Sequence, residues 1–329
     1  MAQSLVSGAM LANRYRVLEL IAKGGMGAVY KCADTRLEGR LCAVKETSLD
    51  PNMDTPYLQQ IQEQFRLEAT TLATLDHPNL PKVSDYFSHR GRYYLVMDYV
   101  AGQDLLSILR ASPRNKPGLP ADQVLNWANQ ICSALQYLHT QSPPILHRDI
   151  KPANIKITEA GIIKLVDFGL VKWMAPDDNS TITVLQGLGT LAYTPLEQYG
   201  GDTAHTDPRS DIYALGTTLY HLLTGKPPIS AKERFLKPER YVSPDQIVPD
   251  LPAHVVQAII KATAMHPEDR PSTATEFLSL LQTGSAAEIT ISHGDVPDET
   301  WRAFTHRNRT LLLVTSALFL ISLFLSLGL

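Results

Sequence analysis

Three glycines within four residues, in Lys23-Gly24-Gly25-Met26-Gly27, lie between two segments that both read as strands. Tyr15-Arg16-Val17-Leu18-Glu19-Leu20-Ile21 alternates before them, and Ala28-Val29-Tyr30-Lys31-Cys32-Ala33 follows. A dinucleotide-binding fold needs a helix directly after its glycines, so that fold is excluded. A glycine hairpin remains. Its plain use is a turn with positive φ angles. Its chemical use is a flap of little side-chain bulk that offers backbone N–H groups to a polyphosphate.

The rest of the chain sorts into a strand-rich beginning and a helix-rich continuation. Short strands are predicted at Arg40–Glu46, Lys82–Phe87 and Tyr93–Asp98, and a helix over Leu58–Leu75. From Gly102 onward helical periodicity dominates, at Asp104–Arg110, Ala121–Thr140, Ser210–Thr224, Pro252–Ala264 and Ser272–Gln282. Strands first and helices afterwards predict an α+β fold with a small β-rich lobe and a larger helical lobe. Trp127 and Tyr137 lie in one helical stretch and are expected in its core.

Composition narrows the class. Hydrophobic residues make up 44% and charged residues 19%, which excludes a disordered chain or a fibre. The net charge of −3 gives no basic excess for nucleic acid. Cys32, Cys42 and Cys132 suit neither a disulfide framework nor a zinc site, and are expected as buried free thiols in a reducing cytosol. The ten histidines are scattered and mark no metal centre; His147 is expected as a packed structural residue. No secretory signal is visible in Met1–Arg14.

Thr310–Leu329 is free of charge and proline and, as a helix, spans about 30 Å, the thickness of a bilayer core. It is expected to be a single transmembrane helix. Arg302, Arg307 and Arg309 precede it and place the bulk of the chain on the cytoplasmic side of the cell membrane. Residues 283–309 are expected as a juxtamembrane linker, and the globular domain at 15–282. Ser322 and Ser326 form a small-xxx-small pair, a weak pointer to dimerisation.

Lys45 ends the string Cys42-Ala43-Val44-Lys45, one short strand beyond the glycine hairpin, and Glu68 sits on the inward side of the following helix. Each alone reads as surface charge. Together they can form an ion pair that holds the lysine against the α/β-phosphates of a nucleotide. The most specific string is His147-Arg148-Asp149-Ile150-Lys151-Pro152-Ala153-Asn154, followed thirteen positions later by Asp167-Phe168-Gly169.

These strings, in this order behind that lysine, make the sequence similar to the eukaryotic-like (Hanks-type) serine/threonine protein kinases of bacteria, over about Tyr15 to Leu281. The resemblance implies a bilobal kinase fold, with a small lobe at about 15–100 and a large lobe at about 101–282. It implies that Asp149 orients the acceptor hydroxyl and takes its proton, and that Lys151 touches the γ-phosphate of ATP. Asn154 and Asp167 are implied as ligands of Mg²⁺, for which Mn²⁺ can stand in. The nucleotide is expected against the glycine loop (Ala22, Lys23, Gly24, Gly25, Met26, Gly27), Val29, Ala43, Lys45 and Glu68. Met97 is implied as gatekeeper, Asp98 to Val100 as the hinge, and Asp104 as the ribose contact. Asp211, Glu197 and Arg270 are implied as buried supports of the catalytic loop and activation segment.

The activation segment, Asp167 to Glu197, carries Ser180, Thr181 and Thr183 as expected phosphorylation sites, with Arg148 and Lys172 facing the phosphate. Partners expected from this resemblance are protein substrates, the membrane, and a second copy of the chain for phosphorylation in trans. The rivals are a pseudokinase scaffold without turnover and a small-molecule phosphotransferase of the same fold. The sequence departs from the family pattern at three places. Ala22 replaces the first loop glycine, Pro195-Leu196-Glu197 replaces Ala-Pro-Glu, and Lys156 stands where a leucine often lies beneath adenine. The stem of Lys156 is expected to cover the base while its ammonium reaches solvent.

Overall fold

A computed structural model describes residues 4–24, 27–48, 55–113, 117–167, 191–199 and 206–283. The chain divides into two units, residues 1–287 and 288–329, and every element described belongs to the first. Strands β1 (Met10–Leu11), β2 (Tyr15–Gly24), β3 (Gly27–Asp34), β4 (Leu41–Ser48), β5 (Val83–His89) and β6 (Arg92–Asp98) form one antiparallel sheet in the order β1-β2-β3-β4-β6-β5. Helix α1 (Thr55–Ala73) connects β4 to β5.

The two faces of this sheet follow from side-chain alternation. On one face Tyr30, Cys32, Cys42, Val44, Tyr94 and Val96 close a small core with Leu11, Tyr15 and Val17. Register puts Val29, Lys45 and Leu95 in one cross-strand row, and Lys31, Ala43 and Met97 in the next, on the opposite face. Ala43, Leu95 and Met97 there join Phe65, Ala69 and Leu72 of α1 and continue into the core of the large lobe. This face therefore turns two lysines and apolar side chains toward the other lobe.

The large lobe begins with β7 (Gln103–Asp104), α2 (Leu105–Ala111) and α3 (Ala121–His139). Val124, Trp127, Ala128, Ile131, Cys132, Leu135 and Leu138 give α3 a continuous apolar stripe. Strands β8 (Ile155–Ile157) and β9 (Ile163–Leu165) complete a three-stranded sheet in the order β7-β8-β9. Helix α4 (Pro208–Thr224) is buried at every residue from Ser210 to Thr224 and forms the axis of the lobe. Asp207 caps its start by accepting the Arg209 N–H, and Gly225 ends it with φ of 73°. A side chain at Gly225 would stand 1.7 Å from the Pro117 carbonyl oxygen, so only glycine fits. Short helices α5 (Ala231–Leu236) and α6 (Pro244–Ile247) precede α7 (Ala253–Ala262) and α8 (Ala274–Thr283).

The three cysteines are buried and free, and Trp127 lies in the core as expected, with Tyr137 packed at its edge. Among the described residues no helix is long and apolar enough to cross a membrane. Thr310–Leu329, and the linker beyond Thr283, lie outside the described residues.

Candidate active site

Helix α4 fixes the site from below. Its Asp211, fully buried, accepts hydrogen bonds from the backbone N–H groups of His147 and Arg148, each at 2.8 Å, and lies 2.9 Å from His139 Nε2. Burial alone would raise this carboxyl, yet its pKa is held below the ordinary value by the His139 contact and the His147 amide. The backbone it grips is strained: Arg148 has φ of 63°, a left-handed value that costs about 1–2 kcal/mol, and in the second string Asp167 has a similar φ of 61°. Strain of this kind persists only where surroundings over-determine it, and here a carboxylate on a rigid helix does so for Arg148.

His147 ties the two catalytic strings together. Its Nε2 lies 3.1 Å from the Val166 carbonyl oxygen, and its Nδ1 is 3.4 Å from the Asp149 N–H. Burial lowers its pKa, so the ring is neutral; Nε2–H donates to Val166 and Nδ1 accepts from Asp149. The Val166 N–H in turn donates to the Asn154 carbonyl at 2.9 Å.

The Asp149 carboxylate is clasped from two sides. Lys151 Nζ lies 3.2 Å from Oδ1 and 2.9 Å from Oδ2, and Asn154 Nδ2 donates to Oδ2 at 2.8 Å and to the Asp149 carbonyl at 2.9 Å. These bonds use the amide nitrogen of Asn154 and leave its Oδ1, the atom able to ligate a cation. Asp167 Oδ1 meets Lys45 Nζ at 3.2 Å. An Asn oxygen and a carboxylate beside Asp149 are the hard donors that Mg²⁺ takes, so the residues fit that ion.

The pairing of Lys45 differs from the expectation. Glu68 and Lys45 form no ion pair; Lys45 turns to Asp167 instead. Glu68 Oε2 is buried and makes no hydrogen bond among the described residues. Burial pushes the Glu68 carboxyl up to about 7, against the weaker pull of Arg148 and Lys45. Arg148, itself buried, donates to Thr206 Oγ1 at 3.4 Å.

At the glycine hairpin Ala22 pairs with Val29, Lys23 with Ala28 and Gly24 with Gly27; Gly25 and Met26 lie outside the described residues. Gly27 is obligatory, because a Cβ there would stand 1.8 Å from the Glu46 carbonyl oxygen. Lys23 reaches Ser4 Oγ at 2.9 Å rather than the cleft. At the other end of the cleft Met97 and Val100 are buried. The Asp98 carboxylate is engaged outside the cleft, by Arg40 and the Lys82 N–H. Asp104 is the N-cap of α2, accepting from the Ser107 N–H at 2.8 Å and the Ser107 hydroxyl at 2.7 Å. Its sequence position between a turn and an apolar helix carried that signal. Lys156 does not send its ammonium to solvent: Nζ donates to the Val100 carbonyl at 3.0 Å.

Ser180, Thr181, Thr183 and Lys172 lie outside the described residues. Beyond them Glu197 forms a two-pronged pair with Arg270, at 2.6 and 3.1 Å, and also accepts from Ser210 Oγ at 2.8 Å. The end of the segment is thus fastened to the large lobe.

The comparison with known proteins agrees with this geometry. The model of the family described as "Protein kinase domain" matches residues 15–283. The chain belongs to the protein kinase domain family. The serine/threonine-protein kinase PknB of Mycobacterium tuberculosis is 33% identical over 316 residues, covering 93% of this chain and 47% of that protein. A probable serine/threonine-protein kinase PknB of Bifidobacterium longum is 35% identical over 304 residues, covering 88% and 41%. This kinase chain thus spans less than half the length of these relatives. Among solved structures, the PknI kinase domain of Mycobacterium tuberculosis superposes with a TM-score of 0.64 at 28% identity, covering 86% of this chain and all of that one. The two lobes described above are the bilobal protein kinase fold.

Proposed function

We propose that this chain is a serine/threonine protein kinase that transfers the γ-phosphoryl group of ATP to hydroxyls of protein substrates. The observation that carries the reading is the clasp on Asp149, with Lys151 on both carboxylate oxygens and Asn154 on one, beside the Lys45–Asp167 pair. Phosphoryl transfer asks mainly for positioning and charge neutralisation. Asp149 orients the acceptor hydroxyl and receives its proton at a carboxylate oxygen. Lys151, already on that carboxylate, offsets charge on the transferred group, and Lys45 holds the α/β-phosphates. Mg²⁺, held by Asn154 and Asp167, supplies neutralisation of the phosphate oxygens when bound, and Mn²⁺ takes similar oxygen ligands. For that, Lys45 turns from Asp167 to the phosphates.

The complete set of Lys45, Glu68, Asp149, Asn154 and Asp167 favours turnover over a scaffold role. Control by phosphorylation of Ser180, Thr181 or Thr183, with a second copy acting in trans, is supported by Arg148 and Lys172 in the sequence. Tethering to the cell membrane with the kinase domain on the cytoplasmic side is supported by the apolar run at 310–329 and its basic flank. The test is transfer of labelled γ-phosphate to a generic protein acceptor. Wild type transfers it and Asp149→Asn does not; an Asp149→Asn protein with wild-type turnover overturns the assignment.

A further inference from the structure

Lys156 makes a contact in the cleft that the phosphoryl chemistry does not use. It lies on β8, opposite Asp104 of β7 and Lys164 of β9. Its Nζ donates to the Val100 carbonyl at 3.0 Å and stands 5.7 Å from the centre of the Tyr99 ring. Tyr99 carries a second ammonium, that of Lys31 on β3, at 4.8 Å. Three parts of the molecule, the small lobe, the connection and the large lobe, thus converge on one aromatic ring, which fixes where the Lys156 head rests.

An ammonium has three donors and no acceptor, so partial burial is tolerable only where acceptors meet it. Here the acceptor is a main-chain carbonyl at the edge of the base site, and the positive charge stays beside it. The purines differ in what they bring to such an edge. Adenine offers one amino donor and ring-nitrogen acceptors, whereas guanine has the O6 acceptor in place of that amino group and presents a 2-amino donor beside a protonated N1. Guanine donors need carbonyl acceptors. At Val100 the adjacent N1–H and 2-amino donors of guanine would arrive against a cation that already occupies the oxygen, whereas the same edge of adenine carries an N1 acceptor and a C2–H and meets no such repulsion. Rejecting the wrong ligand through an opposed charge is an effective way to discriminate near-isosteric bases.

We propose that Lys156 is a base-discriminating residue: its ammonium on the Val100 carbonyl turns guanine nucleotides away and leaves adenine nucleotides admitted. The proposal rests on the reading of this cleft as a purine-nucleotide site. It is tested on the full-length protein by calorimetric titration with ADP and with GDP, both with Mg²⁺, for wild type, Lys156→Met, Lys156→Leu and Lys156→Arg. Wild type is expected to prefer ADP. Removing the charged donor with the stem volume kept should tighten GDP about tenfold, the worth of one charge-assisted hydrogen bond, with ADP changed less than about threefold. Lys156→Arg, which keeps a cationic donor, should keep the discrimination. An unchanged GDP-to-ADP ratio in the folded Met or Leu variant overturns the proposal. So does equal weakening of both nucleotides, which marks a packing role. Wild type binding GDP as tightly as ADP overturns it without any variant. Wild type binding neither nucleotide removes the nucleotide-site reading as well, whereas ADP binding with an unmoved ratio removes the proposal alone.

Discussion

Asp211→Asn isolates the part of the machinery that never touches substrate. The side chain keeps its volume, but the wild-type carboxylate accepts hydrogen bonds from two backbone N–H groups, at 2.8 Å each, and contacts His139. The amide offers one oxygen, and its NH₂ faces the remaining donors. At least one buried N–H is left unsatisfied, at about 1–3 kcal/mol, and the charge assistance of the surviving bond is lost. Stability is therefore expected to fall by about 2–4 kcal/mol. The functional loss is larger than that figure suggests. Arg148 is held at φ of 63° by this carboxylate, and releasing it lets the loop relax toward ordinary backbone, displacing Asp149. A displacement of about 1 Å at the nucleophile-positioning group costs on the order of 100-fold in kcat. The Val100 and Lys45 contacts lie elsewhere, so KM for ATP should change little. The assay pairs urea unfolding with steady-state phosphate transfer. An Asp211→Asn protein with kcat within twofold of wild type shows that something else holds the loop.

The Glu68 carboxyl has a folded pKa of about 7 against an ordinary 4.5, so it favours the fold as the neutral acid below pH 4.5 and this contribution is lost as pH rises through 7. Glu68→Gln should flatten the stability profile between pH 4.5 and 7 and exceed wild type at pH 8 by up to about 3 kcal/mol; parallel urea-melt profiles of the two proteins would refute this. Arg270→Met strands Glu197 in a largely buried site and removes bonds to the Ala264 and Met265 carbonyls, for an expected loss of about 3–5 kcal/mol by chemical denaturation. A loss under about 1 kcal/mol would show that the pair is not what fastens the segment. Full-length protein should stay with carbonate-washed membranes and a chain ending at residue 309 should not; loss of the full-length protein on washing counts against the tether.

Local sequence was enough for the long elements and for the identity of the reacting groups. The strands β2 to β6 run for seven residues or more, and α3 and α4 are long enough for a helical period to declare itself, within two or three residues at the ends. Asp149, Lys151, Asn154 and Asp167 were legible because they stand in two short strings that resemble protein kinase motifs, and their residue types suit phosphate and metal chemistry. β1, β7, β8, β9, α5 and α6 were not, being two to six residues long and too short to show any period. Partner choice was also beyond the sequence, because it is settled between residues far apart in the chain. Lys45 has two carboxylates within the same site, and the position of α1 gives it Asp167 and leaves Glu68 buried. Asp104, expected as a ribose contact, is seen as a helix cap once Ser107 is found on both its oxygens. The long, flexible stem of Lys156 can reach solvent or the connection between the lobes. Only the folded chain brings the Val100 carbonyl and the Tyr99 ring within its reach, where an acceptor and an aromatic face offset part of the cost of desolvating the ammonium.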